Sequence, residues 1–445
     1  MKRRWAITIV AGALAFAAMP HASAAPRAPR WVREVGTHYW QNGYDVALDD
    51  AGNSWVVGSS IGKFPKSGAS VSHRATTGFL AEFNHRGALV SATQFGTART
   101  GATGIARDPG GNLDVVGWTY GPGEFPGTID ANAGKSDAFV RQYDADGNHV
   151  WTHLLGSSEA DEALGVATDA DGNLYVVGNT AGSMPGAPEA AGFDGDGWIA
   201  KYASDGTLAW VHQLVTNRED DITGVTAAPG GGVDVVGTTE GALKGDASNP
   251  FYADVVVAHY GADGTRTWLK QIGSDEPDLG QGIATDATGH VFVVGTTPGQ
   301  LPGWTKKVEF YGDTFLLELD ASGNQLAVTQ FGGEGYDFGY DVGTDALGDV
   351  FVTGTTEHHL ARAPETNPYG TDAFVARFTT AAHHDGFRMA WVHQIGAGTI
   401  ANGRGIAVTP DGTVTMAGWA AGPIADAGNY GGNTDALVAR FGRVS

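Results

Sequence analysis

The sequence predicts an all-β protein made of one four-stranded unit repeated seven times. Three observations carry this. Glycine supplies 68 of 445 residues, while charged residues make up 17%, hydrophobic ones 42% and aromatic ones 10%, a balance that favours short strands between tight turns over helices. A segment of about 57–64 residues recurs along the chain. The two ends of the chain also carry complementary parts of that segment.

Each unit opens with a short apolar strand, a. It reads Asp45-Val-Ala-Leu-Asp49 in the first copy, Gly104-Ile-Ala-Arg-Asp108 in the second and Gly165-Val-Ala-Thr-Asp169 in the third, and later copies start at Gly224, Gly282, Asp341 and Gly405. A turn such as Asp169-Ala-Asp171-Gly172-Asn173 leads into strand b, here Leu174-Tyr-Val-Val-Gly178. Strand c reads Asp137-Ala-Phe-Val-Arg-Gln-Tyr143 or Asp372-Ala-Phe-Val-Ala-Arg-Phe378, and strand d reads Trp210-Val-His-Gln-Leu214 or Trp391-Val-His-Gln-Ile395. Every strand is short, alternates in hydrophobicity and ends at Gly, Asp or Asn. A four-stranded sheet cannot bury both faces by itself, whereas a ring of them can, so the expected fold is a seven-bladed β-propeller forming one domain over 25–445. Its sequence repeats are expected at about 31–89, 90–149, 150–208, 209–266, 267–326, 327–389 and 390–445. The last unit, Gly405 to Phe441, ends before a strand d, and Trp31-Val-Arg-Glu-Val35 fits that missing strand. The N-terminal strand is therefore expected to pair with the C-terminal blade and close the ring, removing an open edge.

Segments such as Gly282-Ile-Ala-Thr-Asp286, Gly289-His-Val-Phe-Val-Val-Gly295 and Asp372-Ala-Phe-Val-Ala-Arg377 resemble the bacterial SBBP β-propeller repeat family over residues 31–445. The resemblance implies an extracytoplasmic propeller. It implies no fixed chemistry and brings no catalytic residues with it.

Lys2, Arg3 and Arg4 precede an apolar run from Trp5 to Met19 and the small residues Ala22-Ser23-Ala24, the pattern of a signal peptide over 1–24. Secretion or a periplasmic location follows, with no lipobox cysteine, since the chain has none. No later stretch is apolar enough to span a membrane. The net charge of −22 becomes more negative without the three basic leader residues. It excludes nucleic acid and anionic membranes as partners and suits solubility outside the cell.

The d–a and b–c loops are long and emerge at one end of the sheets, so that face is the expected binding surface. Tyr44-Asp45 and Tyr340-Asp341 interrupt the pattern in which Gly opens strand a, and Arg404 stands at the equivalent of the two tyrosines. Ring closure would bring Tyr44, Asp45, Tyr340, Asp341 and Arg404 together at the axis as candidate ligand-binding or catalytic groups, two carboxylates with an arginine suiting acid–base chemistry. The plainer reading is an ion cluster that lines a channel. Trp40, Trp118, Trp304 and Trp419 fall in the same loop-rich segments, with Tyr39, Tyr120 and Tyr336, and flat rings there suit glycan stacking or protein contacts. The tryptophans of strand d, Trp151, Trp210, Trp268 and Trp391, recur in register and are expected in the core.

Asp161, Asp220, Asp278 and Asp337 recur by symmetry and are expected to pin loops to the neighbouring sheet. Asp-x-Asp-Gly-Asn turns resemble the start of a calcium loop but lack its distal Glu, so they read as hairpin turns. Asp194 and Asp196 are weak calcium candidates, and no other cofactor is expected. His153, His212 and His393 repeat and are structural, while His358-His359 and His383-His384-Asp385 fall at opposite ends of one unit and cannot share an ion. The function expected is a monomeric binding module for an extracellular glycan or protein. The alternatives are a polysaccharide lyase or glycosidase that uses the five axial residues, and a structural envelope module.

Overall fold

The computed structural model describes residues 28–442 apart from the segments 70–74, 97–98, 121–127, 129–133, 190–194, 244–251, 306–311, 361–369, 381–385, 397–399, 425–426 and 428–432. The leader expected over 1–24 lies outside the described residues. The described residues form 28 strands and no helix.

Strand β1 (Trp31–Val35) is followed by antiparallel meanders of four. The first holds β2 (Gln41–Leu48), β3 (Ser54–Ile61), β4 (Thr76–Phe83) and β5 (Leu89–Phe95). The second holds β6 (Thr100–Arg107), β7 (Leu113–Tyr120), β8 (Ser136–Tyr143) and β9 (His149–Leu155). The third holds β10 (Asp161–Thr168), β11 (Leu174–Thr180), β12 (Asp196–Tyr202) and β13 (Leu208–Leu214). The fourth holds β14 (Asp220–Ala227), β15 (Val233–Thr239), β16 (Asp254–Tyr260) and β17 (Arg266–Ile272). The fifth holds β18 (Leu279–Thr285), β19 (Val291–Thr297), β20 (Asp313–Leu319) and β21 (Gln325–Phe331). The sixth holds β22 (Asp337–Thr344), β23 (Asp349–Glu357), β24 (Thr371–Thr380) and β25 (Phe387–Ile395). The last three strands are β26 (Ile400–Val408), β27 (Val414–Ala421) and β28 (Asp435–Phe441), and β1 pairs antiparallel with β28 from Trp31↔Arg440 to Val35↔Ala436. One parallel bridge pair, Thr371↔Ile400, joins the sixth sheet to this last one.

Alternation along each strand sends neighbouring side chains to opposite faces. On β3, Val56 packs with Val438 and Trp31, while Trp55 and Val57 pack with Ile105 and Phe139. Buried apolar clusters of this kind fill the space between each sheet and the next. One of them joins the last sheet to the first through Val35, Ala417, Val438, Val46 and Phe79. Burying each such Val or Phe contributes about 1.5–3 kcal/mol, so the interfaces between sheets carry the stability.

A second contact links neighbours at the outer strand. The ring of Trp31 lies on Gly87, and its Nε1 donates to His85 O at 3.2 Å in the first sheet's β4–β5 turn. Trp210 donates to Ala262 O at 3.3 Å and Trp268 to Ala321 O at 3.1 Å, over Gly264 and Gly323. A side chain at these turns would strike the indole, and φ is near +80° there, so Gly meets both demands. The expected core placement holds for Trp391 alone of its four. Trp151, Trp210 and Trp268 are half-buried, because the outermost strand leaves one edge of each indole in solvent.

Trp31→Ala removes a buried indole that touches two sheets and should lower stability by about 3–5 kcal/mol. A thermal melt followed by circular dichroism should fall by about five degrees. An unchanged melt would mean that β1 does not hold the ends together.

Candidate functional site

Each innermost strand carries a β-bulge at the same place. The register slips between Gly43 and Asp45, Ala102 and Gly104, Ala163 and Gly165, Ile222 and Gly224, Gly280 and Gly282, Gly339 and Asp341, and Gly403 and Gly405. The position expected to open strand a therefore lies in mid-strand, and the strand begins about four residues earlier. Glycine there marks a bulge rather than a boundary. The bulged residues are Tyr44, Thr103, Leu164, Thr223, Gln281, Tyr340 and Arg404, and all of them line one cavity of about 270 Å³ fed by the seven inner strands.

All five sequence candidates meet in this cavity. Asp45 and Asp341 are held alike. Asp45 Oδ1 accepts the N–H of Val46 at 2.7 Å and Oδ2 that of Ile105 on the next inner strand at 2.9 Å. Asp341 accepts from Val342 and from Ile406 on the next inner strand, both at 2.8 Å. Each carboxylate is thus a clamp between adjacent inner strands, with an oxygen committed to each. Gly405 makes room for one clamp: a Cβ there would sit 2.6 Å from Asp45 Oδ1. Burial pushes Asp45 up to about 7, against the pull of its two amide donors. Burial and then the Asp45 charge hold Asp341 well above the usual carboxylate range. The Arg404 guanidinium lies 4.0 Å from the centre of the Tyr340 ring, and its buried Nε has no acceptor among the described residues. Tyr340, Phe338 and Tyr336 stack in sequence up to the loop-rich face, with centroid spacings of 6.1 Å.

A larger cleft of about 500 Å³ lies on the loop-rich face between β7, β10 and β14. Trp118 and Tyr120 form one wall, edge to face at 6.0 Å, and Glu162, Asn179 and Asp221 supply polar groups. Burial raises Glu162. Burial and then the charges of Glu219 and Glu162 push Asp221 up to about 6. Sequence reasoning found Trp118 and Tyr120 but missed the two acids. They stand two residues before the bulge, where other units carry Asn42, Gly101, Leu279, Phe338 and Asn402, a position with no consensus for them to break.

The other aromatics scatter. Trp40 is half exposed beside Thr434. Trp419 pairs with Asn402 and Ala436 in β27. Trp304 lies away from the axis: its neighbour Gly303 packs against Gln325 and Val328 of the outer strand β21. None of the three lines either cavity. Asp196 opens β12 on the cleft and accepts from Gln213 Nε2 at 3.1 Å, while Asp194 lies outside the described residues. Among the described residues no group of three or more His, Asp or Glu is arranged to hold a metal. The Asp-x-Asp-Gly-Asn turns spend their carboxylates locally: Asp169 Oδ1 accepts from Asp171 N and Asn173 N, and its Oδ2 from Asn173 Nδ2 at 2.8 Å. His383, His384 and Asp385 lie outside the described residues.

The recurring Asp161, Asp220, Asp278 and Asp337 pin the loop before each inner strand, accepting from Ser157 N, Thr216 N, Ser274 N and Gly333 N at 2.5–2.7 Å. Burial raises all four, Asp278 to about 6 and Asp337 to about 7. Each faces a second acid, as Asp337 faces Asp313. A carboxyl raised in the folded state favours the folded state fully below the unfolded pKa near 4, and that advantage is lost as pH rises through the folded value. Melting temperature should therefore be higher at pH 5 than at pH 8, with the loss spread between about 4 and 7. Asp337→Asn should flatten the profile. A melt that rises steadily toward pH 8 would contradict this.

The β-propeller repeat of the SBBP family matches residues 150–183 and 328–361. Regulatory protein FlaEY of Caulobacter vibrioides is 34% identical over 76 residues, which is 17% of this chain, and the chain spans only 8% of that protein's length. The WD40 domain of Neurospora crassa Pan2 has a similar structure, with a TM-score of 0.50 at 9% identity, over 93% of this chain and 97% of that one. Polysaccharide lyase Uly1 gives a TM-score of 0.51 at 11% identity, over 89% of each chain. At such identities the likeness is of fold alone. The sheets, their order and these matches agree: the chain carries SBBP β-propeller repeats and folds as a β-propeller.

Proposed function

We propose that this chain is a secreted, monomeric, seven-bladed propeller closed by β1, and that it binds a glycan in the cleft walled by Trp118 and Tyr120. Support for the ring comes from the β1–β28 register, the apolar cluster shared by the last and first sheets, and a cavity fed by seven inner strands. The cleft itself carries the functional reading. An aromatic wall stacks on the apolar face of a pyranose, while Glu162 and Asp221 offer acceptors to its hydroxyls and Asn179, whose Oδ1 accepts from Ile222 N, offers its amide N–H groups. The leader over 1–24 and the acidic surface fit a protein that works outside the cytoplasm.

The axial acids are poor catalysts on this reading, because Asp45 and Asp341 spend both oxygens on main-chain N–H groups. A glycosidase or lyase reading rests better on the cleft, where Asp221 at about 6 faces Glu162. A glycan array on the chain from Ala25 onward is the test. Binding should appear and should weaken at least tenfold in Trp118→Ala, with the fold retained by circular dichroism. Release of new sugar ends, lost in Glu162→Gln, would select the enzyme. No bound glycan would leave a structural module.

A further inference from the structure

The clamps of Asp45 and Asp341 show what the axial cavity asks for. The residue after each bulge site is Val46, Ile105, Val166, Val225, Ile283, Val342 or Ile406, and all seven line the cavity. Four of these residues give their N–H to a carboxylate: Val46 and Ile105 to Asp45, and Val342 and Ile406 to Asp341. A carboxylate at the bulge thus serves its own strand and the next. Val166, Val225 and Ile283 follow the same bulge in the same register, so their N–H groups take the direction of the four that meet Asp45 and Asp341. The positions that would serve them are Gly104, Gly165, Gly224 and Gly282. One continuous arc of three donors therefore meets no protein carboxylate.

We infer that the axial cavity is a carboxylate-binding site, in which a ligand carboxylate takes the N–H groups of Val166, Val225 and Ile283 as Asp45 and Asp341 take those of the other strands. Missing Cβ atoms at Gly165 and Gly224 let the ligand approach the backbone. Across the cavity, Arg404 is the one cation among its described lining residues, and its buried Nε lacks an acceptor. About 270 Å³ gives room for a small acid of sugar size. The acids lining this space are Asp45 and Asp341, and Tyr44, Tyr340 and Arg404 complete its ionisable groups; Glu162 and Asp221, on two of the same inner strands, line the separate cleft. Burial pushes Asp45 up to about 7 and, with the Asp45 charge, holds Asp341 well above the usual carboxylate range, so negative charge builds up at the axis as pH rises and a carboxylate should bind more tightly at pH 6 than at pH 8. The inference rests on the ring of inner strands proposed above and not on the glycan cleft.

Titration calorimetry on the chain from Ala25 onward should show one site for D-glucuronate and none for D-glucose at equal concentration. N-acetyl-alanyl-alanine serves as the second carboxylate probe and separates a sugar acid from a peptide terminus as the source; binding of either supports the site. Gly165→Asp builds in the missing carboxylate where a Cβ meets nothing closer than 3.2 Å. It should fold, hold or raise the melting temperature, and weaken binding at least tenfold. Arg404→Gln, which adds no bulk, should weaken it at least fivefold and keeps the test open should Gly165→Asp fail to fold. Trp118→Ala, read in the same titration and on the glycan array, separates failure of this site from failure of the cleft. Absence of binding by both acids, equal binding of phosphate and sulfate, or retained affinity in both axial variants would overturn the assignment.

Discussion

One extra residue in each innermost strand governs the rest of the molecule. The bulges ending at Asp45, Gly104, Gly165, Gly224, Gly282, Asp341 and Gly405 break the inner ladder at one level. A bulge bends its strand and releases donors from the ladder. Buried donors must find acceptors, so the released N–H groups create a demand for acceptors around the axis. Two aspartates meet part of it, and glycine elsewhere keeps the rest accessible. The cavity, its lining and its unusual acids all follow from that offset.

Neighbouring sheets are held by two contacts of different character. The apolar clusters between them are broad and non-directional, and they tolerate Val, Ile, Leu or Phe at equivalent positions. The outer tryptophans are directional: Trp31, Trp210 and Trp268 each need a glycine beneath the ring and a carbonyl for Nε1 in the turn of the next sheet. That Trp31 obeys the same rule as Trp210 and Trp268, although it comes from the start of the chain, shows the N-terminal strand serving as the fourth strand of the last sheet.

Much of this was legible because repetition amplifies weak signals. A single Gly-Asn-Leu-Tyr-Val-Val-Gly segment says little, whereas recurrence in register identified the sheets and the partner of Trp31–Val35 in advance. The same recurrence misplaced the start of strand a, since glycine reads as a boundary until pairing reveals a bulge. It also hid the cleft. Glu162 and Asp221 are exceptions at a position that has no consensus among Asn42, Gly101, Leu279, Phe338 and Asn402, so nothing marked them as departures. The sequence pattern grouped Trp304 with the axial face because its loop is long, but Gly303 beside it packs on the outer strand β21. Loop length tells which end a residue occupies and not how far it lies from the axis.

An acidic protein that buries its acids gains from their positions only if something offsets desolvation. Asp337 and Asp45 show two solutions. Asp337 is raised by burial against the pull of Thr356 and the Gly333 N–H, and the charge of Asp313 adds to burial in favouring a proton. Asp45 meets two amide donors, which favour the ion, yet burial still holds it near 7. The loop-pinning acids can keep a proton without losing their acceptor oxygens, which makes them tolerant structural fixtures. The axial acids do the same work where the inner strands leave a cavity of about 270 Å³, and there a change of protonation alters the field felt by whatever enters. The same residue type, raised by the same burial, is a fixture where it pins a loop and shapes a ligand's surroundings where it lines the axial cavity.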